Sequence, residues 1–494
     1  MLRDYQIDGV EKLRRLYAAK KKAPLYTLPT GGGKTVVFSH ITQKMAEKQK
    51  SICILVHRQE LLHQASRNLR ELGIHHALIA PGFRYKGEPV AVASVQTLRQ
   101  RMKKEQFHFD LLVIDEAHHA VAGTWKKVIE GMPRARLLGV TATPTRSDGK
   151  GLGEAAGGCF DSMVIGPPVR WLIQNGYLCR PAVFTPPVQF SLEGIRTSGG
   201  DYNAKELAEV VDKPKIIGSA VAHYARLCPL QPAIAFCASV AHAEHTAAEF
   251  AAAGFVAKSI DGTMSDGERK GLINGLKAGD IHVLTSCDII SEGTDIPRVS
   301  AAILLRPTQS EGLFLQQVGR ALRPVYAEGF DLSKAEGRLA AIAASDKPRA
   351  LILDHVGNIG MATPRGFVLK HGFPDDEREW SLSGRPKRKR GKQAERISPL
   401  KKCGNCYHDH EPAPRCPMCG FEYPVTGREI EQVAGELKEL TPEEVERLRA
   451  KRWKENRTAQ SLDELIALGK ARGYKNPVFW AKKYFESKQQ RSRA

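Results

Sequence analysis

Short runs of apolar residues recur through the first three quarters of the chain and form two series separated by a weaker stretch. Each run is four to six residues long, and helix-compatible segments separate most of them. The first series is Leu25–Leu28, Ile52–His57, Val90–Ser94, Leu111–Ile114 and Leu137–Thr141, and the second is Ala233–Cys237, Phe255–Ile260, His282–Thr285, Ala301–Leu305 and Ala350–Asp354. Apolar strands that alternate with helices are typical of parallel sheets covered on both faces. The pattern therefore predicts an α/β protein with two parallel-sheet lobes.

The limits of these two series divide the chain into six predicted segments. Residues 167–230 are rich in proline and weakly patterned, which is typical of a connection between lobes. After the second series the sequence becomes polar, and it ends in Glu-rich and Lys/Arg-rich stretches that are compatible with helices. The predicted segments are a first lobe at 1–166, a lobe junction at 167–230, a second lobe at 231–371, a basic linker at 372–402, a cysteine-containing module at 403–424 and a basic helical region at 425–494.

The composition changes this picture little. The chain has 494 residues, of which 42% are hydrophobic and 26% charged, a balance that is usual for a soluble protein of two or three domains. No run approaches 18 uninterrupted apolar residues, and three acidic residues precede the first apolar run. We therefore expect neither a membrane span nor a secretory signal. Six cysteines are scattered singly, several of them in apolar runs, which fits a reducing cytoplasm.

Positive charge is concentrated in two segments near the end of the sequence. The net charge is +20, from 74 Lys and Arg against 54 Asp and Glu. Residues 385–402 carry +8 and residues 447–494 carry +10, so the other 428 residues sum to only +2. A positive field concentrated in this way fits a polyanionic partner such as nucleic acid. On charge alone, a solvated linker and a solvated helix face are an equal alternative.

A glycine-rich loop follows the first predicted strand and opens a predicted helix. Its residues are Pro29, Thr30, Gly31, Gly32, Gly33, Lys34 and Thr35. Glycines let backbone N–H groups surround phosphates, and the helix N-terminus favours an anion. We expect Lys34 to reach the β- and γ-phosphates of a nucleotide and the Thr35 hydroxyl to bind Mg²⁺. The general pattern has a glycine six residues before the lysine, where this chain has Leu28.

Two carboxylates end the apolar strand predicted at Leu111–Ile114. Asp115 and Glu116 follow it directly, and the carboxyl edge of a parallel sheet is also where a phosphate loop opens. We expect Asp115 to hold the Mg²⁺, directly or through water, and Glu116 to orient and deprotonate the attacking water. A solvated acidic strand end is the alternative, and the four apolar residues before the acids argue against it. The loop and the acids together predict nucleotide hydrolysis.

The segment Asp115–His118, with the sequence Asp-Glu-Ala-His, resembles the DEAH signature of superfamily 2 helicases and translocases. The further motifs of that family are present in order, at Leu2–Gln6, His57–Leu61, Ser94–Thr97, Thr141–Thr143, Ser291–Asp295 and Gln316–Arg323. The resemblance covers about residues 1–360 and implies two RecA-like lobes of the P-loop NTPase class. Within the superfamily, Leu351–Asn358 and the late cysteines are similar to the RadD group of bacterial DNA-repair ATPases.

The resemblance implies roles for the matched residues. Gln6 would bind the edge of the adenine, with Arg3 or Tyr5 packing nearby. Arg320 and Arg323 would lie across the cleft from the phosphate loop, where an arginine commonly contributes about 10³–10⁵ to the rate of phosphoryl transfer. A surface ion pair is the alternative for these arginines. Further nucleotide contacts are implied for Gly293, Asp295 and Gln316, and contacts with nucleic acid are implied for His57, Arg58, Gln96, Thr97 and Thr294.

Four of the ten cysteines form two Cys-x-x-Cys pairs late in the chain. The pairs are Cys403 with Cys406 and Cys416 with Cys419, and nine residues separate them. Four soft ligands suit Zn²⁺, and in a module of about 25 residues the metal would supply the folding energy. A redox dithiol and spare reduced thiols are the alternatives. His408 and His410 could also act as ligands, but we expect them to be exposed loop residues.

Four functions are open at this point. The favoured one is a nucleic-acid-stimulated ATPase that translocates on or unwinds DNA in repair or recombination, with ATP, Mg²⁺ and Zn²⁺ as cofactors. The alternatives are an RNA helicase, a motor subunit of a restriction or defence complex whose nuclease is a separate chain, and a scaffold without hydrolysis. Intact catalytic motifs argue against the scaffold. The resemblance suggests a cytoplasmic, nucleoid-associated protein that contacts no membrane and binds single-strand-binding protein or another repair factor.

Overall fold

The computed structural model describes residues 2–146, 149–185, 195–198, 201–288, 296–363, 366–384 and 397–398 and, further on, 401–403, 405–406, 408–410, 413–422, 459, 461–471, 477–478, 481 and 484–485. The chain divides into two compact units, Met1–Tyr423 and Pro424–Ala494. The predicted motif Ser291–Asp295 lies outside the described residues, as do much of the basic linker and most of the basic C-terminal region. Among the described helices, none has both the length and the apolar character needed to cross a membrane.

The first lobe is built on a seven-stranded parallel sheet with the strand order β3-β4-β2-β5-β6-β1-β7. The strands are β1 (Pro24–Thr27), β2 (Ile52–Val56), β3 (Ala77–Ile79), β4 (Val90–Ser94), β5 (Leu111–Asp115), β6 (Arg136–Thr141) and β7 (Ser162–Ile165). Ile52 and Ile54 belong to one buried cluster, whereas Cys53 and Leu55 belong to another. Because alternate residues of a strand point to opposite faces, both faces of this sheet are buried.

The second lobe is built on a six-stranded parallel sheet with the strand order β12-β13-β11-β14-β15-β8. The strands are β8 (Pro181–Phe184), β11 (Ala233–Phe236), β12 (Ala257–Ile260), β13 (Val283–Ser286), β14 (Ala301–Leu304) and β15 (Ala350–Asp354). The predicted fold class of two parallel-sheet lobes is therefore confirmed. One difference concerns β8, which lies in the segment expected to connect the lobes and pairs with β15 as an edge strand of the second sheet.

Helices cover both sheets. Those of the first lobe are α1 (Asp4–Ala18), α2 (Lys34–Ala46), α3 (Gln59–Glu71), α4 (Val95–Arg101) and α5 (Gly123–Glu130), and α6 (Val169–Gln174) follows β7. Those of the second lobe are α7 (Ala204–Val211), α8 (Pro214–Leu227), α9 (Val240–Ala252), α10 (Asp266–Ala278), α11 (Glu311–Ala321) and α12 (Ala335–Ala343). The start of α11, which carries the predicted arginine motif, is fixed by the Ser310 hydroxyl, which accepts a hydrogen bond from the Leu313 N–H.

Smaller elements complete the described structure. β9 (Thr197–Ser198) and β10 (Asp201–Tyr202) form an antiparallel pair, as do β19 (Lys401–Lys402) and β20 (Asp409–His410). β16 (Gly360–Thr363), β17 (Gly366–Leu369) and β18 (Ile397–Ser398) form an antiparallel sheet. In the C-terminal unit, α13 (Leu462–Ala471) packs in a small cluster around Leu465 and Ala481.

Candidate active site and cysteine cluster

The loop between β1 and α2 has the backbone geometry of a phosphate-binding loop. Gly31 and Gly33 have φ angles of 83° and 87°, a left-handed conformation that glycine adopts without strain. A Cβ on Gly33 would also collide with the side-chain amide of Gln6. Lys34 and Thr35 begin α2, and both line a cleft of about 550 Å³. The N–H groups at this helix end and the Lys34 ammonium therefore form a site for an anion.

The two carboxylates at the end of β5 lie beside this lysine. Asp115 and Glu116 are each 5% exposed and line the same cleft. The Nζ of Lys34 lies 3.7 Å from Oε1 of Glu116. Glu116 has a φ of 49°, which is uncommon for a residue with a side chain and costs backbone energy. Strain of this kind persists where the surrounding structure fixes a side chain, and here it accompanies the contact with Lys34.

His118 connects the carboxylates to the neighbouring strand and from there to the second lobe. Its Nδ1 lies 3.5 Å from Oε2 of Glu116 and 3.1 Å from Oγ1 of Thr141, the last residue of β6. The Thr141 hydroxyl donates to the Thr143 carbonyl over 3.0 Å. A Cβ on Gly312 of α11 would lie 3.1 Å from the Thr143 hydroxyl oxygen, so the two lobes touch here. His118, Thr141 and Thr143 therefore lie in sequence between Glu116 and the surface where the lobes touch.

The N-terminal motif lies against the phosphate loop. The Gln6 Nε2 and the Tyr5 hydroxyl both donate to the Gly32 carbonyl, over 3.0 and 2.9 Å. The Gln6 Oε1 accepts from the Arg3 N–H over 2.9 Å, so both the oxygen and the nitrogen of the Gln6 amide are hydrogen-bonded within the protein. Burial raises the pKa of Tyr5, and the nearby Arg3 opposes that rise. The Arg3 guanidinium also lies over the ring of Tyr177, 4.6 Å from its centre. The sequence gives no signal for Tyr177, because it is a lone tyrosine in the predicted lobe junction and belongs to no motif.

Helix α11 brings the predicted arginines to the same cleft. A Cβ on Gly319 would lie 2.6 Å from Cβ of Thr30, so the helix approaches the phosphate loop this closely only with glycine at that position. Arg320 is 5% exposed, and both it and Arg323 line the cleft. The Cγ of Arg323 lies 3.5 Å from the point where a Cβ on Gly31 would be. Each lobe therefore supplies cations to one cleft.

The other residues predicted at the nucleotide fall into three groups. Pro29 and Gly32 close the loop through a hydrogen bond of 2.9 Å from the Gly32 N–H to the Pro29 carbonyl. Gln316 is buried on α11 and lies outside the set of residues that line the cleft. Gly293 and Asp295, together with Thr294 of the predicted nucleic-acid contacts, lie outside the described residues.

The residues predicted to contact nucleic acid lie together at the carboxyl ends of β2 and β4. Gln96 is exposed, and its Nε2 donates to the His57 carbonyl over 3.4 Å. Thr97 follows on α4 and is half-buried. The Arg58 guanidinium reaches the second lobe, where it donates to the Asp288 carbonyl over 2.8 Å. These four side chains therefore occupy one edge of the first sheet, beside the second lobe.

A cross-lobe ion pair lies near this edge, between Glu60 of the motif His57–Leu61 and Arg269, which belongs to no motif. Arg269 of α10 and Glu60 of α3 approach to 2.7 Å, and both side chains are largely buried. Together with the contacts of Arg58, this ion pair joins the lobes on the side of the first sheet where the predicted nucleic-acid contacts lie. Its residues are 209 positions apart in the sequence, so only the folded chain brings them together.

The four late cysteines converge as predicted from their spacing. Their Sγ atoms all lie within 4.8 Å of one another, and the pairs Cys403–Cys419 and Cys406–Cys416 are each separated by 3.6 Å. A tetrahedron with Zn–S bonds of about 2.3 Å has S–S edges of about 3.8 Å, so these distances fit the ion. Burial raises the pKa of Cys406 and Cys416, so without a cation both thiols stay protonated at neutral pH.

This cysteine module is packed on the second lobe. Cys403, Cys406 and Cys416 belong to a buried cluster that also contains residues of β8 and β15. His408 pairs with Phe184 of β8 through the backbone. His408 and His410 were expected to be exposed, but both are buried and stack on each other with ring centres 5.6 Å apart. The expectation was wrong because it treated the module as free of the lobe. The cluster of potential metal ligands found among the described residues contains only the four cysteines.

Two family models match the chain. Residues 1–146 match the model described as "Type III restriction enzyme, res subunit", and residues 223–325 match "Helicase conserved C-terminal domain". The first match contains the phosphate loop and both carboxylates, and the second contains Arg320 and Arg323. The first match lies in the first lobe, and the second match lies in the second lobe.

Individual proteins are similar over longer stretches. A 51.5 kDa protein of Lactococcus phage (isolate 7-9) is 30% identical over 400 residues, which is 80% of this chain and 77% of the phage protein. The "Putative ATP-dependent helicase IRC3" of Saccharomyces cerevisiae is 29% identical over 351 residues, or 65% of this chain and 49% of that protein. Among solved structures, a fragment of a "putative HsdR subunit of a type I restriction enzyme from Vibrio vulnificus YJ016" superposes with a TM-score of 0.53. It is 19% identical and covers 71% of this chain and 63% of the fragment.

Proposed function

We propose that this chain, which belongs to superfamily 2 of the helicases and hydrolyses ATP, is a motor that translocates on or unwinds DNA in repair or recombination. One observation carries the proposal. Arg320 and Arg323 of the second lobe line the same cleft as Lys34 and Glu116 of the first. A nucleotide bound in this cleft touches both lobes, so its hydrolysis changes what holds the lobes together.

The positions of the side chains support the following chemical roles. Lys34 and the loop N–H groups bind the phosphates, and Thr35 with Asp115 would hold a Mg²⁺ ion, which would neutralise phosphate charge. Glu116 accepts a proton from the attacking water, as its place beside Lys34 allows. Arg323 stabilises the charge that develops on the γ-phosphoryl group in the transition state.

Movement follows from the contacts between the lobes. A strand that lies along Gln96 and Arg58 crosses from the first lobe towards the second, because Arg58 already contacts the second lobe. When hydrolysis removes the γ-phosphate, the attraction to Arg320 and Arg323 weakens and the lobes can part. Alternate gripping of the strand by each lobe converts this cycle into directed steps.

DNA is favoured over RNA by the family model that matches residues 1–146, because its description is that of a restriction-enzyme subunit. The same match favours a second candidate function, that of a motor subunit in a restriction or defence complex whose nuclease is another chain. In either case the substrate of the motor is DNA, and the two candidates differ only in the partner. A single-strand-binding protein is the partner that the repair role implies, and a cytoplasmic, nucleoid-associated location goes with it.

The nucleic-acid dependence of ATP hydrolysis tests the proposal. We expect single-stranded, duplex or forked DNA to raise the rate at saturating ATP by at least about tenfold, which corresponds to about 1.4 kcal/mol in the barrier. RNA is expected to raise it much less. The measurement is phosphate release with each nucleic acid present alone and then with two of them present in competition. Stimulation by RNA alone would contradict the DNA assignment and favour an RNA helicase.

Two substitutions test whether DNA stimulates hydrolysis through the predicted nucleic-acid contacts at the edge of the first sheet. Gln96→Ala is expected to raise the concentration of DNA needed for half-maximal stimulation, because the amide is exposed beside His57. Gln174→Ala serves as the matched control, since Gln174 is an exposed amide at the end of helix α6 and belongs to no motif. An equal effect of both substitutions would mean that the effect is not specific to this edge.

We propose in addition that the four cysteines bind one Zn²⁺ ion as a zinc ribbon. The tetrahedral spacing of the sulfur atoms supports this proposal. Because the module shares a buried cluster with β8 and β15, its metal also supports the second lobe. Zinc in this position therefore stabilises the motor itself and not only the appended module.

Metal analysis and thermal unfolding test the zinc proposal. We expect about one zinc per chain, and we expect Cys406→Ser or a strong chelator to remove it and to lower the unfolding temperature of the second lobe. Cys159→Ser is the control, since Cys159 belongs to the first lobe and is remote in sequence from the module. It should leave the metal content unchanged. Purified protein without stoichiometric zinc would rule out the site.

A further inference from the structure

A buried lysine that belongs to no motif contacts the backbone of Arg323. Lys347 lies in the loop between α12 and β15, and it is only 1% exposed. Its Nζ donates to the Arg323 carbonyl over 2.5 Å and to the Pro297 carbonyl over 2.7 Å. Both Pro297 and Arg323 line the nucleotide cleft. Lys347 therefore joins two cleft-lining segments from behind, without facing the cleft itself.

The carbonyl groups around Arg323 need donors from outside their own helix. Helix α11 ends at Ala321, so the carbonyls at this end have no partners within the helix. The Cys179 N–H donates to the Leu322 carbonyl over 2.7 Å, and the Lys347 ammonium serves the Arg323 carbonyl. A cation at the end of a helix also complements the helix dipole. The main chain at Arg323 is thus held by two donors from different parts of the fold.

The thiol of Cys179 completes this support. Its Sγ lies 3.7 Å from the Arg323 carbonyl and 3.7 Å from the Lys347 carbonyl. Cys179 is fully buried and comes from the segment just before β8. The position of Arg323 therefore depends on a small buried cluster drawn from three separate parts of the sequence. Any shift of Lys347 is transmitted directly to the peptide group of Arg323.

We propose that Lys347 is a positioning residue for ATP hydrolysis, which fixes the backbone of Arg323 so that its guanidinium reaches the γ-phosphate. This inference rests on the role proposed above for Arg323. Lys347 touches neither the nucleotide nor the reacting atoms. Its effect is on the orientation of Arg323, because a misplacement of about 1 Å at a group that stabilises the transition state can cost roughly 10²-fold in rate.

The electrostatics of the site agree with this geometry. Burial, with a smaller contribution from the positive charge of Arg323, lowers the pKa of Lys347 to about 7, while Cys179 and Asp346 oppose the fall. Among the described residues no carboxylate forms an ion pair with Lys347, so the two carbonyls are what compensate for its burial. The two hydrogen bonds to these carbonyls therefore offset part of the cost of burying the amine.

The test compares catalysis with and without the ammonium group in the full chain. Lys347→Met keeps the length of the side chain and removes both hydrogen bonds. We expect kcat for DNA-stimulated ATP hydrolysis to fall by about 10- to 100-fold, with KM for ATP changed by less than about threefold, because only a transition-state contact is disturbed. Lys334→Met is the control, since Lys334 is exposed, and it should leave both parameters unchanged.

A double substitution separates positioning from a general loss of structure. In an Arg323→Ala background, Lys347→Met is expected to change kcat by less than about twofold, because a residue that acts through Arg323 has nothing left to position. The same fractional loss in both backgrounds would overturn the proposal. If Arg323→Ala alone leaves kcat unchanged, the role proposed for Arg323 itself is contradicted. That result can be told apart from equal fractional losses in the two backgrounds, which contradict only the role of Lys347.

Stability is measured for every variant. Lys347→Gln retains an amide donor and is the second variant, with an intermediate loss of kcat expected. Ile352→Val in β15 provides a variant that weakens the same core without touching Arg323. If Ile352→Val lowers kcat as much as Lys347→Met does, at a similar loss of stability, the proposal is overturned. So would a finding that both Lys347 variants are unfolded at the assay temperature, since Lys347 would then be a core residue only.

Discussion

Glu116→Gln is expected to abolish ATP turnover while the protein still binds ATP and nucleic acid. Glutamine has the shape of glutamate but cannot accept a proton, and loss of a general base typically lowers a rate by about 10²–10⁴-fold. Glu116 is buried and lies between Lys34 and His118, and its Oε1 is beside the ammonium of the phosphate-loop lysine. The measurement is phosphate release at saturating ATP together with equilibrium binding of ATP.

ATP affinity is expected to be unchanged or higher in this variant. The substitution removes a negative charge that lies 3.7 Å from the Lys34 ammonium, and that ammonium is then free to interact with phosphate alone. Glu130→Gln is the matched control, because Glu130 is exposed at the end of α5. A Glu116→Gln protein that hydrolyses ATP at a near-normal rate would remove Glu116 from the role of base.

The phosphate loop and the acids could be predicted because their conformation is encoded locally. Gly31 and Gly33 adopt positive φ angles that few other residues tolerate, and β5 is apolar throughout until Asp115. The sheet edge then brings them together, since both follow parallel strands. For such features the sequence neighbourhood contains nearly all of the physical information. The same holds for the cysteines, whose spacing alone predicts a four-sulfur cluster.

Features that depend on distant partners could not be predicted. Strand β8 begins with a proline and spans four residues, and it is a strand only because β15 lies beside it. Lys347 stands between an aspartate and a proline, which is typical of an exposed loop, yet two carbonyls from other segments bury it. The prediction that His408 and His410 are exposed was wrong for the same reason, because His408 packs on Phe184 of the second lobe and His410 stacks on His408.

Arg323→Ala is expected to lower kcat by about 10³-fold or more while ATP affinity changes little, because an arginine at the γ-phosphoryl group acts mainly in the transition state. The Arg323 side chain lies against the phosphate loop beside Gly31. The Lys347 ammonium donates to the Arg323 carbonyl, and the Cys179 N–H donates to the carbonyl of the preceding residue, Leu322. A ground-state contact would weaken binding as much as turnover. Measurement of kcat, KM and ATP affinity for one protein distinguishes the two.

Two companion substitutions sharpen the interpretation of Arg323→Ala. Arg323→Lys keeps the positive charge but loses the planar fork of donors, so it should recover only part of the lost rate. Lys270→Ala is the control in the same lobe, because Lys270 is an exposed cation of α10 that belongs to no motif. Equal losses of turnover and affinity in Arg323→Ala would mean that the arginine only holds the bound nucleotide. The second lobe would then bind ATP without taking part in its hydrolysis, and the coupling of hydrolysis to movement would need another origin.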